Sequence, residues 1–336
     1  MMNSGVARFC AASLLAVSLA TPQWLGAWGN EGHTWINTVA VQKLPADVPA
    51  FLRDAAARVG YLGPEPDRWR NPVSEPQLKF AQEPDHFINL ERVPQWSEWP
   101  RDRYAFIHAM EARRNEVMAR MRAHCASSCD EAALAARANV YYAENVGLQP
   151  YAALEVFDRL KVAFREYRHA IAKKRDATQP EQDAIFYAGW LGHYVGDAAQ
   201  PLHDSVNYDG WVGDDPNGYS RHRDSPDIHW DFESRFVAEN LKPEDFAHLV
   251  HAPRHLEDPF NDYIAYIKRG NAKVERFYQF EKSGAFAGKG TAESRQFTAE
   301  CLGSGAQMLA DMIYTAWLDS ATDPPDPYAA PAKTNP

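Results

Sequence analysis

The sequence lacks any convincing series of alternating apolar and polar residues, and it has no internal repeat. A sheet-based or repeat architecture is therefore set aside, because strands show themselves by a period of two and solenoids by self-similarity at a fixed period. An excess of positive charge is also missing. Lys and Arg number 35 against 45 Asp and Glu, a formal net charge of −10. A protein that grips duplex DNA through many phosphate contacts is normally basic. If this chain handles a phosphate polyanion, fixed metal ions must supply the local positive charge.

Long apolar runs are absent except at the start. MMNSGVAR carries one positive charge, FCAASLLAVSLA is a short apolar run, and Leu25-Gly26-Ala27 resembles a cleavage site. Together they read as a secretory leader over residues 1–27, too short and too poorly flanked for a membrane anchor. Cys10 stands at the start of the run rather than after it, which argues against a lipid-anchored cysteine. The expectation is a soluble, secreted or periplasmic protein with no transmembrane segment. Losing the leader removes Arg8 and no acid, so the net charge moves to about −11. Cysteine is scarce, with four in 336 residues. Of the three beyond the leader, Cys125 with Cys129 is the most local pairing and Cys301 with either is equally allowed, leaving one thiol over. A four-cysteine zinc site is excluded.

What the chain does have is helical periodicity. Patterns run over Glu31–Leu44, Pro49–Val59, Arg103–His124, Asp130–Ala143, Tyr151–Lys174, Asp183–Ala199, His229–Glu239, Asp258–Gln279 and Ala292–Ala321. The fold class is all-α, a compact multi-helix single domain over residues 28–322. Gly60–Pro76 is rich in Gly and Pro, and Ser205–Asp227 is a polar loop of a length more often functional than idle. The Pro-rich end, 323–336, has little to bury and reads as a disordered tail.

The stretch FYAGWLGHYVGDAAQPLHD packs His193, Asp197 and His203 into eleven residues. Positions i and i+4 share a helix face, so His193 and Asp197 point the same way. Pro201 should end the helix and can swing His203 towards the same point. Two imidazoles and a carboxylate suit Zn²⁺; the alternative is a capping Asp with two satisfied histidines. HWDFESRF repeats the pattern with His229 and Glu233, with Asp231 off that face and solvated. Asp67 lies in GPEPDRWR, His86 in PDHFINL, and His33 in WGNEGH, which begins at Trp28. These motifs hold five of the twelve histidines. His108, His124, His169, His222, His248, His251 and His255 are read as surface or core residues.

WGNEGH directly after a leader, PDRWR, HFIN and GHYVGDAAQPLH resemble the zinc-dependent single-strand nucleases of fungi and plants (the S-one/P-one nucleases), whose all-helical fold is shared with the bacterial zinc phospholipases C. The resemblance runs in order from Trp28 to about Phe236. It implies three zinc ions. One is held by Asp67, His86, His193 and Asp197, and a second by His203, His229 and Glu233. A third is bound by the amino group and carbonyl of Trp28, by His33, and by Asp197 as a bridge. It further implies a secreted phosphodiesterase that cleaves single-stranded DNA and RNA to 5′-phosphorylated products. Asp67 orients or deprotonates the water and Arg70 stabilises charge on the phosphate. Phe87, beside His86, is placed to stack on a base or to pack in the core, and Asn89 stands where fungal members carry a base-reading Asp. No stable protein partner is implied.

The chain departs from that pattern at Glu233, where the nucleases have Asp and the phospholipases Glu. It does not reproduce the fungal disulfides, and it is longer in the middle and at the C-terminus. Two other functions stay open. One is a zinc phospholipase C acting on phosphatidylcholine-like lipids, against which stand Arg70 and the five-residue step from Trp28 to His33. The other is an exported zinc-binding protein without turnover.

Overall fold

The helix that carries His193 and Asp197 is the one against which the others are laid. In this computed structural model the described residues are 28–125, 129–223 and 227–324. The leader expected over 1–27 lies outside them, as does the tail expected over 323–336 apart from Asp323 and Pro324. The helices include α1 (Gly29–Gln42), α2 (Ala56–Leu62), α3 (Arg103–Ala123), α4 (Gln149–Ala172), α5 (Thr178–Asp197), α6 (Pro259–Asn271), α7 (Val274–Lys282) and α8 (Ala292–Asp319). Among the described residues there is no strand, only an isolated bridge between Tyr208 and Gly210. The chain is all-α as its periodicity predicts. No described helix is long and apolar enough to cross a membrane.

The central helix α5 packs against α4, α8, α2 and α1. Its first turn, Thr178–Gln182, has no apolar face, so periodicity alone starts the helix later, at Asp183. The close approach has a cause in the sequence. Gly189, Gly192 and Gly196 leave a strip of α5 without side chains. A Cβ on Gly189 would meet Leu62, one on Gly192 would meet Asn37 and Leu309, and one on Gly196 would come within 2.8 Å of His33 Nδ1. Asn37 fills the space, its Nδ2 donating to Val59 O (3.0 Å) and Gly189 O (2.9 Å). One buried amide thus ties α1 to both α2 and α5.

The C-terminal end of α5 is buried, and the last four carbonyls of a helix lack partners within it. Other elements supply donors. Tyr263 Oη donates to Tyr194 O (3.1 Å), Tyr266 Oη to Val195 O (2.8 Å), and Trp28 Nε1 to Gly196 O (2.7 Å). Gln149 Nε2 also reaches Tyr194 O. The helix end that carries Asp197 is therefore held by side chains from α4, α6 and the residue before α1. A buried orphan carbonyl would cost about 1–3 kcal/mol.

Two expectations are revised in detail. The pattern over Asp258–Gln279 is two helices, α6 and α7, broken at Ala272 and Lys273. The break lets α6 turn Tyr263 and Tyr266 towards α5 while α7 turns Tyr278 towards Asn207 O (2.6 Å). Gly60–Pro76 is also not all loop: α2 runs to Leu62, and a further turn, Glu65–Arg68, carries Asp67. Cys125 and Cys129 form a disulfide, which leaves Cys301, buried on α8, as the free thiol among the described residues.

Candidate metal centre

The eight side chains expected at metal positions come from several short local elements and one long helix. His33 lies on the second turn of α1, and Asp67 on the Glu65–Arg68 turn. His86 ends a 3-10 turn over Glu83–His86, while His193 and Asp197 stand one turn apart on α5. That helix already ends at Asp197, ahead of Pro201, which opens a 3-10 turn, Pro201–Asp204, that re-aims His203. His229 lies on the Ile228–Trp230 turn, and Glu233 sits within a π-helical turn, Asp231–Phe236. Such turns occur frequently at functional sites. The i, i+4 pairing of His229 with Glu233 survives it, with Nε2 2.7 Å from Oε2.

These eight side chains gather into three groups of potential ligands: His33, His193 and Asp197; Asp67, His86 and His193; and His203, His229 and Glu233. Asp197 is fully buried and looks two ways. Its Oδ1 is 3.3 Å from His33 Nε2, while its Oδ2 is 3.2 Å from His86 Nδ1 and 3.4 Å from His193 Nε2. Asp67 Oδ1 lies 3.7 Å from His193 Nε2 and 3.8 Å from His86 Nδ1. In the third group, His203 Nε2 is 3.0 Å from His229 Nε2 and 3.4 Å from Glu233 Oε2.

Three of the imidazoles are fixed by backbone carbonyls. His193 Nδ1 donates to Gly63 O (2.9 Å), His203 Nδ1 to His86 O (2.7 Å), and His229 Nδ1 to Tyr208 O (2.9 Å). A carbonyl can only accept, so the proton of each neutral ring is on Nδ1 and the lone pair of Nε2 is turned into the cluster. Burial pushes His86 and His193 well below the usual imidazole range, which keeps them neutral, as metal ligands must be. Burial likewise raises the carboxyls of Asp67 and Asp197. Glu233 differs: burial works to raise it, but His229 and His203 hold it down at about 2. The same contact outweighs burial at His229 and raises that imidazole.

The donor set fits a cation. Both oxygens of Asp197 are buried without a hydrogen-bond donor among the described residues. In the third group two imidazole lone pairs face each other at 3.0 Å beside a carboxylate. Acceptor against acceptor is unfavourable unless a proton or a metal ion lies between, and nitrogen and oxygen donors of this kind suit Zn²⁺.

His86, His203, His229 and Glu233 open on a cleft of about 800 Å³. Arg70 lines it, its Nε and Nη2 on Glu83 (3.2 and 2.8 Å) and its Nη1 on Asp67 Oδ1 (3.1 Å). Phe87 is half-buried on the same wall. Asn89 is buried beneath it, its Nδ2 donating to Asn145 O (2.9 Å). Trp28 is fully buried and left-handed, with φ of 50°. Its indole packs against Phe232 at 5.6 Å, in addition to the hydrogen bond to Gly196. A non-glycine residue in that conformation is strained and persists only where its surroundings fix it. Cleft residues that escaped the sequence reading include Tyr208, Asp209, His222 and Trp230. His222 is exposed, as a surface histidine, and also lines the cleft, where no local spacing marks it.

The fold and site define an all-helical protein with clustered imidazoles and carboxylates of metal-binding type. No protein-family model matches the chain, and no curated protein matches it. Among solved structures it is similar to alpha-toxin from an avian strain of Clostridium perfringens, with a TM-score of 0.42 and 16% identity over 88% of this chain and 66% of the toxin. It is also similar to the alpha toxin of Clostridium absonum, with a TM-score of 0.40 and 13% identity over 90% of this chain and 68% of the other. The chain thus spans just under two thirds of the length of the first of these.

Proposed function

We propose that the protein is an exported zinc phosphodiesterase that cleaves single-stranded DNA and RNA to 5′-phosphorylated products. The observation that carries this reading is Asp197, buried with one oxygen on His33 and the other on His86 and His193, behind a cleft that reaches the His203, His229 and Glu233 group. In the proposed arrangement Asp67, His86, His193 and Asp197 hold one zinc, and His203, His229 and Glu233 a second. His33, Asp197 and the main chain of Trp28 hold a third. Zinc held there would supply a Lewis acid for a phosphoryl oxygen and would lower the pKa of a water towards neutral. Asp67 orients that water or accepts its proton. Arg70, clamped by Glu83 at the cleft wall, presents its guanidinium to the phosphate. Phe87 offers a face on which any base can stack, which suits an unpaired strand.

Arg70→Ala is expected to lower turnover on oligonucleotides by about 10²–10³, the usual loss when a donor aimed at developing charge is removed. Zinc content, measured on the same sample, should stay at the wild-type level. Wild-type turnover in that variant removes the main residue that separates this reading from the next.

Glu233 supports a second reading, a phospholipase C, since the resemblance finds Glu there in the lipid enzymes. Hydrolysis of single-stranded DNA and of phosphatidylcholine, compared on one zinc-loaded preparation, decides between them. The cleft counts against a non-catalytic zinc protein, because an open position is what separates catalytic from structural zinc. Metal analysis with any phosphodiesterase assay tests that alternative.

The third zinc makes the leader part of the mechanism. The α-amine of Trp28 becomes a ligand only when the bond after Ala27 is cut, since an amide nitrogen has no such lone pair, whereas a free α-amine of pKa ~7.7–8.0 sheds its proton readily. The strained, fully buried Trp28 supports that placement. N-terminal sequencing of the exported protein should read Trp-Gly-Asn-Glu-Gly-His. A variant with one extra Met before Trp28 should hold one zinc fewer and lose most activity. Unchanged zinc and turnover would reduce Trp28 to an ordinary core tryptophan.

A further inference from the structure

The polar loop after His203 is a built wall. Trp211 N donates to Ser220 O (2.8 Å), and Arg221 Nη1 to Trp211 O (2.9 Å). The Trp211 ring packs on Tyr219 (4.9 Å) and on Tyr278 of α7 (5.3 Å), and Tyr278 Oη accepts from Gly210 N (2.9 Å). Gly210 has φ of +113°, and a Cβ there would strike the backbone of Arg221 and His222. Glycine is needed twice over, for the conformation and for the approach.

This bracing fixes one dyad on the cleft. His222 Nδ1 lies 2.7 Å from Asp209 Oδ2, with the imidazole 70% exposed and the carboxylate 18%. Both residues line the cleft beside His229, and Asp209 directly follows Tyr208, whose carbonyl holds His229. His222 is the cleft histidine that belongs to none of the three candidate metal groups among the described residues. An exposed pair of this kind contributes little to stability. A carboxylate on Nδ1, however, fixes the tautomer and orientation of an imidazole, as in triad chemistry.

We propose that His222, oriented by Asp209, is the general acid that protonates the leaving oxygen. The proposal rests on the phosphodiesterase reading above. As the water oxygen bonds to phosphorus, the ester P–O bond breaks and its electron pair goes to the leaving oxygen. That oxygen takes the proton from Nε2 of His222. The imidazole then regains a proton from solvent, which has received the one lost by water. The net reaction is diester plus water to monoester plus alcohol.

The test uses the mature, zinc-loaded protein and two substrates with the same phosphoryl group. One is the dinucleotide thymidylyl-3′,5′-thymidine, whose alkoxide must be protonated. The other is thymidine 5′-(4-nitrophenyl phosphate), whose nitrophenolate leaves without a proton. His222→Gln should lose about 10²-fold on the dinucleotide, within the range for general acids, and at least about tenfold less on the nitrophenyl ester. Asp209→Asn should show the same asymmetry with a smaller loss, and both variants should keep wild-type zinc. Equal losses on the two substrates, no loss, or a fall in zinc content overturns the proposal. If the wild type cleaves neither substrate, the nuclease reading fails, and the assignment of His222 fails with it.

Discussion

Asp197→Ala is expected to release zinc from more than one position and to cut turnover by on the order of 10³-fold, the several kcal/mol that a catalytic metal supplies. The expectation follows from the two-sided placement of that carboxylate. Its two oxygens face different imidazoles at 3.2–3.4 Å. Truncation leaves His33, His86 and His193 clustered without the negative charge they share. Zinc per mole of protein and kcat/KM on single-stranded DNA, measured together, check it. Wild-type values for both would show that the cluster is a buried polar network and not a metal centre.

Removing zinc with a strong chelator should lower the midpoint of thermal unfolding by on the order of 10 °C. A ligand present at about 1,000 times its Kd stabilises the folded state by ~4 kcal/mol, and each kcal/mol moves the midpoint of a chain somewhat smaller than this by ~2–4 °C. The buried donors give a physical reason for a large value. Without an ion, Asp197 and Asp67 are carboxylates that burial makes costly to ionise. The chelator should move Asp197→Ala less, because that variant keeps only the zinc held by His203, His229 and Glu233. Identical melting of the treated and untreated wild type would remove the metal from the account of stability.

Much of this site is legible in the sequence, and the legible part has a common cause. His193 with Asp197, and His229 with Glu233, are pairs one helical turn apart, and a local period reveals them. Pro201 announces the break that re-aims His203. What is not legible is assembly across the chain. Nothing local says that Asn37 will tie three helices, or that the glycines of α5 will admit His33. Nor does it say that tyrosines of α6 will cap the helix end beside Asp197. The π-helical turn at Glu233 keeps the i, i+4 contact that a plain helix would give, so the pattern there is read correctly through the wrong local geometry. His222 is hidden because its partner, Asp209, approaches through a glycine turn and not through a helix period.

The carbonyl locks on the histidines have a consequence for how metal enters and leaves. His193 is held by Gly63, 130 residues away, His203 by His86, 117 away, and His229 by Tyr208, 21 away. A carbonyl cannot be edited by changing a side chain, and these come into position only when distant segments have docked. Contacts of such long sequence separation form slowly. Zinc should therefore bind late in refolding. Its escape from the fully buried His33, His193 and Asp197 group into excess chelator should follow the rate at which the surrounding helices open, making that release a clock for unfolding.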